Sequence, residues 1–502
     1  METLQRTANR GSISTDTSYN IDNSLMFSTS GAYADSNSRF YHLMNPGGDD
    51  NWAATSTNGT NARKVTVSIW FKRAALTESS HYPRLFDYRA GGVAFSVYLT
   101  DSNKLKMYDD NTSMSLESNM VFRDTSAWSH LVVAIDQTQS TASNRVKAYV
   151  NGEQITSWGT EDYGNQNVDL SCFRADSVSF HVGGAANDAG AYFNGYIAEY
   201  NFIDGQQLAP TEFGKTDSDS GIWIPKEFTG SYGILGHYYN FSNASSIGED
   251  FSGNDNDANN RGAGITNGSA RQATDTPTNN FCTLNLQVPN YVNTGGAKDG
   301  GTFIDWGQNS YGAWFGTQGV KKGKWFWEFY VPSRSATYGL MHYIGLHTLE
   351  SKQFANGNTY ATAGSNTVFW LMHYGDYYAT TNGSLTSQNT EAGLASEGTG
   401  AIGRTFGVAF NADDAEITFY NNGSVTGNAG IDVYDIDESM AAGTFVFPFF
   451  QVYDNDLNVN FGGYSSIAIS SGNSDANGYG NFEYAVPNGY YSLCTKNLAE
   501  FG

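Results

Sequence analysis

The stretch 403–423 constrains the fold of this chain more than any other part of the sequence. It reads GRTFGVAFNADDAEITFYNNG. Phe406, Val408 and Phe410 alternate with small or polar residues, which predicts a strand with one apolar face over residues 405–410. A polar turn and a second strand over residues 416–420 follow. The Asn-Gly pair at the end predicts a two-residue hairpin turn, because both positions of such a turn favour positive φ.

A second stretch, in the N-terminal half, repeats this order of elements. Residues 128–136 read WSHLVVAID and residues 145–152 read RVKAYVNG. An apolar strand, a polar turn with Asp, a second strand and an Asn-Gly pair therefore occur again in the same order. We infer that the chain contains two related β-sandwiches built on the same hairpin.

Length and composition agree with several β domains. A chain of 502 residues is too long for one hydrophobic core, so two or three domains are expected. Aromatic residues make up 15% of the sequence, charged residues only 15%, and there are 56 Gly. This composition is typical of strands and turns, since surface helices need more Lys, Glu and Arg. We therefore predict an all-β fold of two antiparallel sandwiches joined by a loop-rich connector.

Changes in composition along the chain predict four segments: a polar arm over 1–20, a first sandwich over 21–213, a connector over 214–289 and a second sandwich over 290–502. In the first sandwich, one strand has its apolar residues on alternate positions, namely Val65, Val67, Ile69 and Phe71. In the second, residues 324–331 read KWFWEFYV, so bulky side chains on both faces predict a strand buried on both sides.

The net charge of −23 disfavours two classes of partner. Nucleic acids and anionic membrane surfaces both favour clustered Lys and Arg, so neither is expected to bind. No run of about 18 apolar residues occurs, so membrane insertion is not expected either. Residues 1–10 contain no apolar segment and predict no signal peptide. Cys172, Cys282 and Cys494 lie far apart and are expected to be buried free thiols.

Four motifs of the first half resemble a known family when they are taken in order. They are VSIWFKR, WSHLVVAID, RVKAYVNGE and FNGYIAEYNFIDGQQL, and together they extend over most of residues 22–213. This set is similar to a laminin-G-like, concanavalin-A-type jelly roll. The resemblance implies a two-sheet sandwich whose closing strand, with the short helical turn after it, lies within residues 193–208.

Six motifs of the second half resemble a SPRY domain. They are WFWE, GVAFNAD, FYNNG, FPF, VNFG and VPNGY, and they lie between residues 325 and 490. SPRY domains are themselves concanavalin-like sandwiches, which accounts for the repeated hairpin. They also bind partners through loops at one end of the sandwich, and the resemblance implies the same here.

The connector resembles a segment found in virion proteins of tailed phages. Its motifs are GSYG, DFSGNDND and DTPTNNF, in this order, with Asp255 at a position where the family usually has Gly. The resemblance implies a structural protein of the virion, a fibre or appendage subunit that binds other virion proteins and recognises a host-surface glycan or protein. Such subunits are commonly homo-oligomers, and a trimer is the expected state. Alternatives are a capsid decoration or head fibre protein, a secreted lectin-like adhesin and a glycan-degrading tailspike.

The sequence contains no pattern that predicts an enzyme. Glycosidases on jelly-roll folds need two carboxylates that face one cleft, and the nearest pattern here is Asp435 with Asp437. Neither a Gly-x-Ser-x-Gly elbow nor a His-Glu-x-x-His motif occurs. His130 lies in an apolar strand and is interpreted as a packed residue rather than a base. No enzymatic activity and no cofactor other than calcium are expected.

One acidic loop is a candidate calcium site. Glu249, Asp250, Asp255 and Asp257 occur within nine residues, and Ca²⁺ takes several oxygen ligands from loops of this kind. The alternative is an ordinary tight loop, in which Asp, Asn and Gly are favoured for backbone reasons alone.

Two loops of the second half combine aromatic and short polar side chains. Such a combination suits sugars, which present C–H patches bordered by hydroxyl groups. The candidate ligand-binding residues are Tyr374, Asp376, Tyr377 and Tyr378 in the first loop, and Tyr453, Asp454, Asn455 and Asp456 in the second. The alternative is that these tyrosines cover the edge of the core.

Overall fold

The computed structural model describes most of the chain between Tyr19 and Gly502. The described ranges are 19–27, 42–44, 60–76, 82–90, 92–173, 179–185, 193–261, 272–285, 297–307, 310–332, 342–348, 367–372, 376–381, 384–387, 401–433 and 442–502. The predicted polar arm lies outside these ranges except for Tyr19 and Asn20.

The chain folds into two compact units, the first ending at Asn279 and the second beginning at Asn280. The regular structure of both is antiparallel β almost throughout, so the predicted all-β, concanavalin-like fold is confirmed. Short helices are present at Ala142–Arg145 (α1) and Thr495–Phe501 (α2). None of the helices in the described ranges is long and apolar enough to cross a membrane.

The strands of the first unit form two large sheets and a small one. They are β1 (Ser24–Phe27), β2 (His42–Met44), β3 (Lys64–Arg73), β4 (Arg84–Ala90), β5 (Val93–Leu99), β6 (Lys104–Asp109), β7 (Met114–Val121), β8 (Ser129–Asp136), β9 (Val146–Val150), β10 (Glu153–Gln154), β11 (Trp158–Tyr163), β12 (Ser179–Val182), β13 (Gly195–Asp204), β14 (Gly214–Thr216), β15 (Trp223–Pro225), β16 (His237–Tyr239), β17 (Asn259–Arg261) and β18 (Gln272–Ala273). Sheet A has the order β10-β9-β8-β3-β13-β1-β18, with β16 also paired to β13. Sheet B has the order β11-β7-β6-β5-β4-β12-β2-β17, and β14 pairs with β15 alone.

The core of the first unit lies between sheets A and B. Val65, Val67, Ile69 and Phe71 of β3 all point into it, as their alternation predicts. The other face of β3 is buried as well, because later parts of the chain cover it. There the ammonium of Lys72 donates a hydrogen bond to Asp275 at 2.7 Å, with both side chains at most 1% exposed.

Residues 214–279, most of the segment predicted as a connector, lie within the first unit. Strands β16 and β18 extend sheet A, and β17 extends sheet B. Because these strands pair with sheet edges and with a bulged strand, this loop-rich segment has defined hydrogen-bond partners for its backbone. Asp275 fixes it further, since it also accepts a hydrogen bond from the indole of Trp128 at 2.9 Å.

The strands of the second unit form two sheets. They are β19 (Leu284–Asn285), β20 (Ala297–Lys298), β21 (Phe303–Ile304), β22 (Tyr311–Gly316), β23 (Lys324–Tyr330), β24 (His342–His347), β25 (Thr367–Leu371), β26 (Asp376–Thr381), β27 (Ser384–Ser387), β28 (Thr405–Asn411), β29 (Glu416–Asn421), β30 (Ser424–Asp432), β31 (Phe447–Tyr453), β32 (Leu457–Asn460) and β33 (Tyr491–Ser492). Sheet C has the order β19-β22-β31-β24-β25-β26-β27. Sheet D has the order β20-β21-β32-β23-β28-β29-β30, with β33 also paired to β23.

Strand β23 is buried on both faces, as predicted. Trp325, Trp327 and Phe329 belong to the core between sheets C and D. On the other face, Phe326 packs with Phe482 from the C-terminal part of the chain. Glu328 lies on that same face and is fully buried.

Both predicted Asn-Gly turns are present. Asn151 and Gly152 have φ of 49° and 84°, and Asn422 and Gly423 have φ of 47° and 78°. The strand pairs close across them as two-residue hairpins, which confirms the prediction made from the repeated stretch. The three cysteines are free and buried, as expected.

Candidate functional site

The strand register of sheet C brings the two predicted ligand-binding loops to the same end of that sheet. Tyr311 of β22 lies opposite Tyr453 of β31. Two residues before Tyr453 on β31, Gln451 pairs with Tyr343 of β24. Tyr343 in turn pairs with Leu371 of β25, and Leu371 pairs with Asp376, the first residue of β26. Residues distant in sequence thus form one strand-end surface.

Three tyrosines form the aromatic part of this surface, which we call the tyrosine site. The rings of Tyr311 and Tyr453 meet edge to face, with centroids 4.7 Å apart. Tyr311 also contacts Tyr343 at 5.8 Å, and their hydroxyl groups are 3.3 Å apart. Tyr343 is buried and the other two are half-buried. Of these three tyrosines, only Tyr453 is predicted from the sequence, because the pairing of β22 with β31 is not visible there.

Gln451 adds a buried amide to the tyrosine site. It points to the same face of sheet C as Tyr343, because directly paired residues share a face. Its side chain is 1% exposed, and its Oε1 has no hydrogen-bond partner in the described part of the chain. A buried acceptor without a donor is costly, so this oxygen is suited to accept a hydrogen bond from a ligand hydroxyl.

The loop 453–456 has both structural and exposed members. Asn455 is buried and its amide donates to the carbonyl of Tyr453 at 2.5 Å. Asp456 accepts the N–H of Trp306 through its carboxylate, and its carbonyl accepts a hydrogen bond from His342 at 2.9 Å. Burial lowers the pKa of His342 to about 4, so this ring is neutral at pH 7. Asn455 and Asp456 therefore shape the loop, whereas Tyr453 and Asp454 are half-buried at its surface.

The other predicted loop is described only in part. Tyr374 lies outside the described residues. Asp376, Tyr377 and Tyr378 begin β26, and the description covers their backbone alone. Asp435 and Asp437, which were considered as a carboxylate pair, also lie outside the described ranges.

The acidic loop of the first unit uses its carboxylates to hold its own backbone. Asp250 accepts four hydrogen bonds at 2.8–2.9 Å, from the N–H groups of Tyr238, Ser252 and Asn256 and from the Ser252 hydroxyl. Asp257 accepts the N–H of Asp250 at 2.8 Å. Among the described residues, no group of three or more His, Cys, Asp or Glu is placed to hold a metal ion. The carboxylates of Asp250 and Asp257 are thus already used by donors of the loop itself, and the calcium site stays a prediction.

His130 is held in one tautomer by its neighbours. The indole N–H of Trp223 donates to its Nδ1 at 2.9 Å, so the neutral ring carries its proton on Nε2, which is 2.8 Å from the Ser68 hydroxyl. Trp70 stacks on the ring with centroids 4.6 Å apart. Burial lowers the pKa of His130 to about 3. These contacts are those of a packed histidine, as the sequence analysis interprets it.

Two buried glutamates have unusual environments. Burial raises the pKa of Glu199 to about 7, although the hydroxyls of Tyr19 and Tyr238 donate to its carboxylate at 2.5 and 2.8 Å. Its φ of 51° marks a bulge in β13, where the register to β3 shifts. Burial likewise raises the pKa of Glu328 to about 7, although the N–H groups of Glu483 and Tyr484 donate to it at 2.9 Å.

A comparison with protein families agrees with the fold of the first unit. Residues 46–212 match the profile of a laminin G-like family described as the concanavalin A-like lectin/glucanases superfamily. A search of curated proteins by sequence finds no match.

The solved structures that resemble this chain include a pentraxin, a SPRY domain and a pair of laminin domains. A SAP-like pentraxin from Limulus polyphemus is 13% identical, with 38% of this chain and 78% of that chain covered and a TM-score of 0.27. The SPRY domain of human HERC1 is 16% identical, with 32% and 87% covered and a TM-score of 0.23. Domains LG4-5 of the mouse laminin alpha1 chain are 9% identical, with 89% and 90% covered and a TM-score of 0.27. None of these likenesses bears on what this chain binds.

Proposed function

We propose that this protein is a non-enzymatic binding protein that recognises a host-surface glycan or protein through the tyrosine site of its second unit. The observation that carries the proposal is the convergence of three tyrosines and the unpartnered amide oxygen of Gln451 at one end of sheet C. The match of the first unit to a lectin-type superfamily supports the same class of function.

The chemistry of the tyrosine site fits a sugar ring. A pyranose presents C–H groups on its faces and hydroxyls on its rim, and aromatic rings with a few fixed polar groups bind such a surface. Tyr453 and Tyr311 supply half-buried rings. Gln451 supplies an acceptor and Asp454 lies at the rim. A Tyr-rich surface of this kind also suits a protein partner, because tyrosine contributes a large contact area and a hydrogen bond.

Binding of purified full-length chain to immobilised host-surface polysaccharide and to intact host cells tests the proposal. We expect Tyr453→Ala to weaken binding at least about tenfold, the effect of removing a central aromatic contact. Tyr479→Ala is the matched control, because this half-buried tyrosine lies beside Lys496, away from the tyrosine site. Equal binding by both variants, or no binding by the wild type, would contradict the proposal.

The cellular context we propose is the virion of a tailed phage, where the chain would be a fibre or appendage subunit. The resemblance of the GSYG, DFSGNDND and DTPTNNF motifs to phage virion proteins supports this context. The N-terminal arm and the first unit would attach to the particle, and a trimer is the proposed assembly. An antibody against the chain should then block adsorption. A capsid decoration protein would co-purify with the capsid without that effect, and a tailspike would release reducing sugar.

A further inference from the structure

The outer face of sheet B in the first unit carries two adjacent rows of polar and aromatic side chains. In one row Asp87 lies opposite Ser96, which lies opposite Tyr108. Two residues along β5 and β6, and beyond a bulge in β4, Arg84 lies opposite Tyr98, which lies opposite Lys106. Paired residues share a face of a sheet, and the core face of the same strands is formed by apolar residues such as Phe95 and Val97. The six residues therefore form one platform directed away from the core.

Arg84 is the centre of this platform. Arg84 as a whole is 8% exposed, and its guanidinium carbon lies 4.0 Å from the centroid of the Tyr98 ring. Its Nε is 3.7 Å from Asp87 Oδ1, which is close enough for charge attraction but too long for a hydrogen bond. Nε and Nη1 are buried without a hydrogen-bond partner in the described structure. Unpaired buried donors are unfavourable, so this guanidinium is suited to bind an incoming acceptor.

Ser96 supplies a second unsatisfied group on the same platform. Ser96 is fully buried, and its Oγ has no hydrogen-bond partner in the described ranges. It lies on β5 opposite Asp87, two residues along the strand from Tyr98. Ser96 and Arg84 are thus two unpartnered polar groups on neighbouring strands and on the same face of sheet B.

Three tyrosine rings border this place. Tyr98 contacts Tyr108 edge to face at 6.0 Å, and it contacts Tyr82 edge to face at 6.0 Å. Tyr82 is 40% exposed, so one ring reaches solvent while the others are half-buried. The platform therefore offers aromatic surface beside the charged group, the combination that binds a sugar ring with a charged substituent.

The charges of the platform are balanced. The cationic side chains on or beside it are Arg84, Arg89, Lys104 and Lys106, and the anionic ones are Asp87, Asp110, Glu117 and Asp162. Burial and the nearby Arg89 lower the pKa of His181 to about 4, so this neighbour is neutral at pH 7. The platform thus has no net charge in a chain whose net charge is −23, so the unpartnered donors of Arg84 can bind an anion without a local excess of negative charge.

We propose that this platform is a second binding site, specific for a saccharide that carries a carboxylate group. The carboxylate lies on the Arg84 guanidinium, the sugar ring lies against Tyr98 and Tyr108, and a sugar hydroxyl donates to or accepts from Ser96. The site is independent of the tyrosine site, since all of its residues belong to the first unit.

Calorimetric titration of the full-length chain with acidic oligosaccharides tests this site. The panel contains oligomers of glucuronic and galacturonic acid, a sialylated oligosaccharide, and the carboxyl-reduced form of each. We expect at least one acidic sugar to bind at least tenfold more tightly than its reduced form, and Arg84→Gln to lose at least tenfold in affinity for it. Absence of binding by the whole panel, or equal affinity for acidic and reduced forms, would overturn the proposal.

Four controls separate the possible causes of a lost affinity. Arg63→Gln removes an arginine that is bound to Asp169 at an exposed position, and it should leave affinity unchanged. Ser96→Ala removes an unpartnered hydroxyl, so it should lower the affinity for the acidic sugar a few-fold without lowering the unfolding midpoint. This variant therefore tests the site even if Arg84→Gln folds poorly. Inorganic sulfate should compete only weakly; competition as strong as that of the acidic saccharide would reduce the site to an anion site. Tyr453→Ala should retain this binding whatever its effect on the tyrosine site.

Discussion

The two units cover their hairpin-bearing sheets in the same way but with different polar groups. In the first unit the ring of Trp223 lies so close to Gly152 that a Cβ there would come within 2.5 Å of it. In the second unit Tyr484 lies over Gly423, with a corresponding distance of 2.6 Å. In both cases a later segment of the chain covers the outer side of the sheet next to its Asn-Gly turn.

The polar group that fixes the covering segment differs between the units. Sheet A uses an ion pair, Lys72 with Asp275, that is removed from water. Sheet D uses a single buried carboxyl, Glu328, which accepts two backbone N–H groups and the amide of Asn460. Sheets A and D are thus covered by the chain itself, whereas the candidate binding surfaces lie on sheets B and C. The shared hairpin is therefore a structural element, and recognition depends on residues that the two units do not have in common.

Lys72→Met should have the largest effect on stability. It leaves the Asp275 carboxylate buried without its cation, which typically costs about 3–5 kcal/mol of the free energy of unfolding. Lys64→Met is the matched control, because the Lys64–Asp136 pair is partly exposed and should cost less than about 1 kcal/mol. Denaturant unfolding of both variants measures the difference. Similar small losses would mean that the buried ion pair does not hold the covering segment.

Glu328→Ala should destabilise the second unit somewhat less. It leaves the N–H groups of Glu483 and Tyr484 without this acceptor, at a cost of about 3 kcal/mol. Glu483→Ala removes a nearby carboxyl that, among the described residues, accepts hydrogen bonds only from Ser470. It should therefore lower the free energy of unfolding much less. Thermal unfolding with probes in each unit would show which transition shifts. A shift in the first unit's transition alone would contradict this assignment.

The stability of the first unit should depend on pH through Glu199. Its pKa is raised from 4.5 to about 7 on folding, so its stabilising contribution is fully present below pH 4.5 and is lost as pH rises to 7. The predicted loss is about 3.5 kcal/mol, since the difference of 2.5 pKa units corresponds to about 1.4 kcal/mol for each unit. Glu199→Gln cannot ionise and should flatten this part of the profile. The ionisable groups around it are Tyr19, Tyr232, Tyr238 and Glu227, and the three tyrosines stay neutral in this range.

A chelator should have the smallest effect. The oxygen atoms of Asp250 are already used by four donors, so we expect the same melting temperature with and without EDTA. A melting temperature that falls in EDTA and recovers with added Ca²⁺ would establish the calcium site that the acidic sequence suggests.

The parts of the fold that the sequence predicts are those with strong local patterns. The alternation of Val65, Val67, Ile69 and Phe71 and the two Asn-Gly pairs each determine a face or a turn without help from distant residues. Strands β11 and β30 were not predicted, because they are largely exposed and polar. They exist because a neighbouring strand supplies hydrogen-bond partners, which no local pattern in their own sequence indicates.

The candidate sites are less predictable for the same reason. Tyr453 is predictable because its loop is aromatic and polar. Tyr311 lies 142 positions earlier in the sequence and comes next to Tyr453 only through strand pairing. Arg84 and Ser96 have no distinctive sequence context at all. Their significance arises from burial without hydrogen-bond partners, which depends on the three-dimensional packing of sheet B.

The central claim is tested most directly by measuring how the full-length chain binds a panel of neutral and acidic surface polysaccharides. The proteins compared are the wild type, Arg84→Gln, Tyr453→Ala, the double variant and Trp223→Phe. The account predicts that the two single changes weaken binding to different members of the panel, and that the double variant binds none. It also predicts that Trp223→Phe, which alters only the covered side of sheet A, binds like wild type. Binding that survives in the double variant but is lost in Trp223→Phe would contradict the claim that sheets B and C carry recognition.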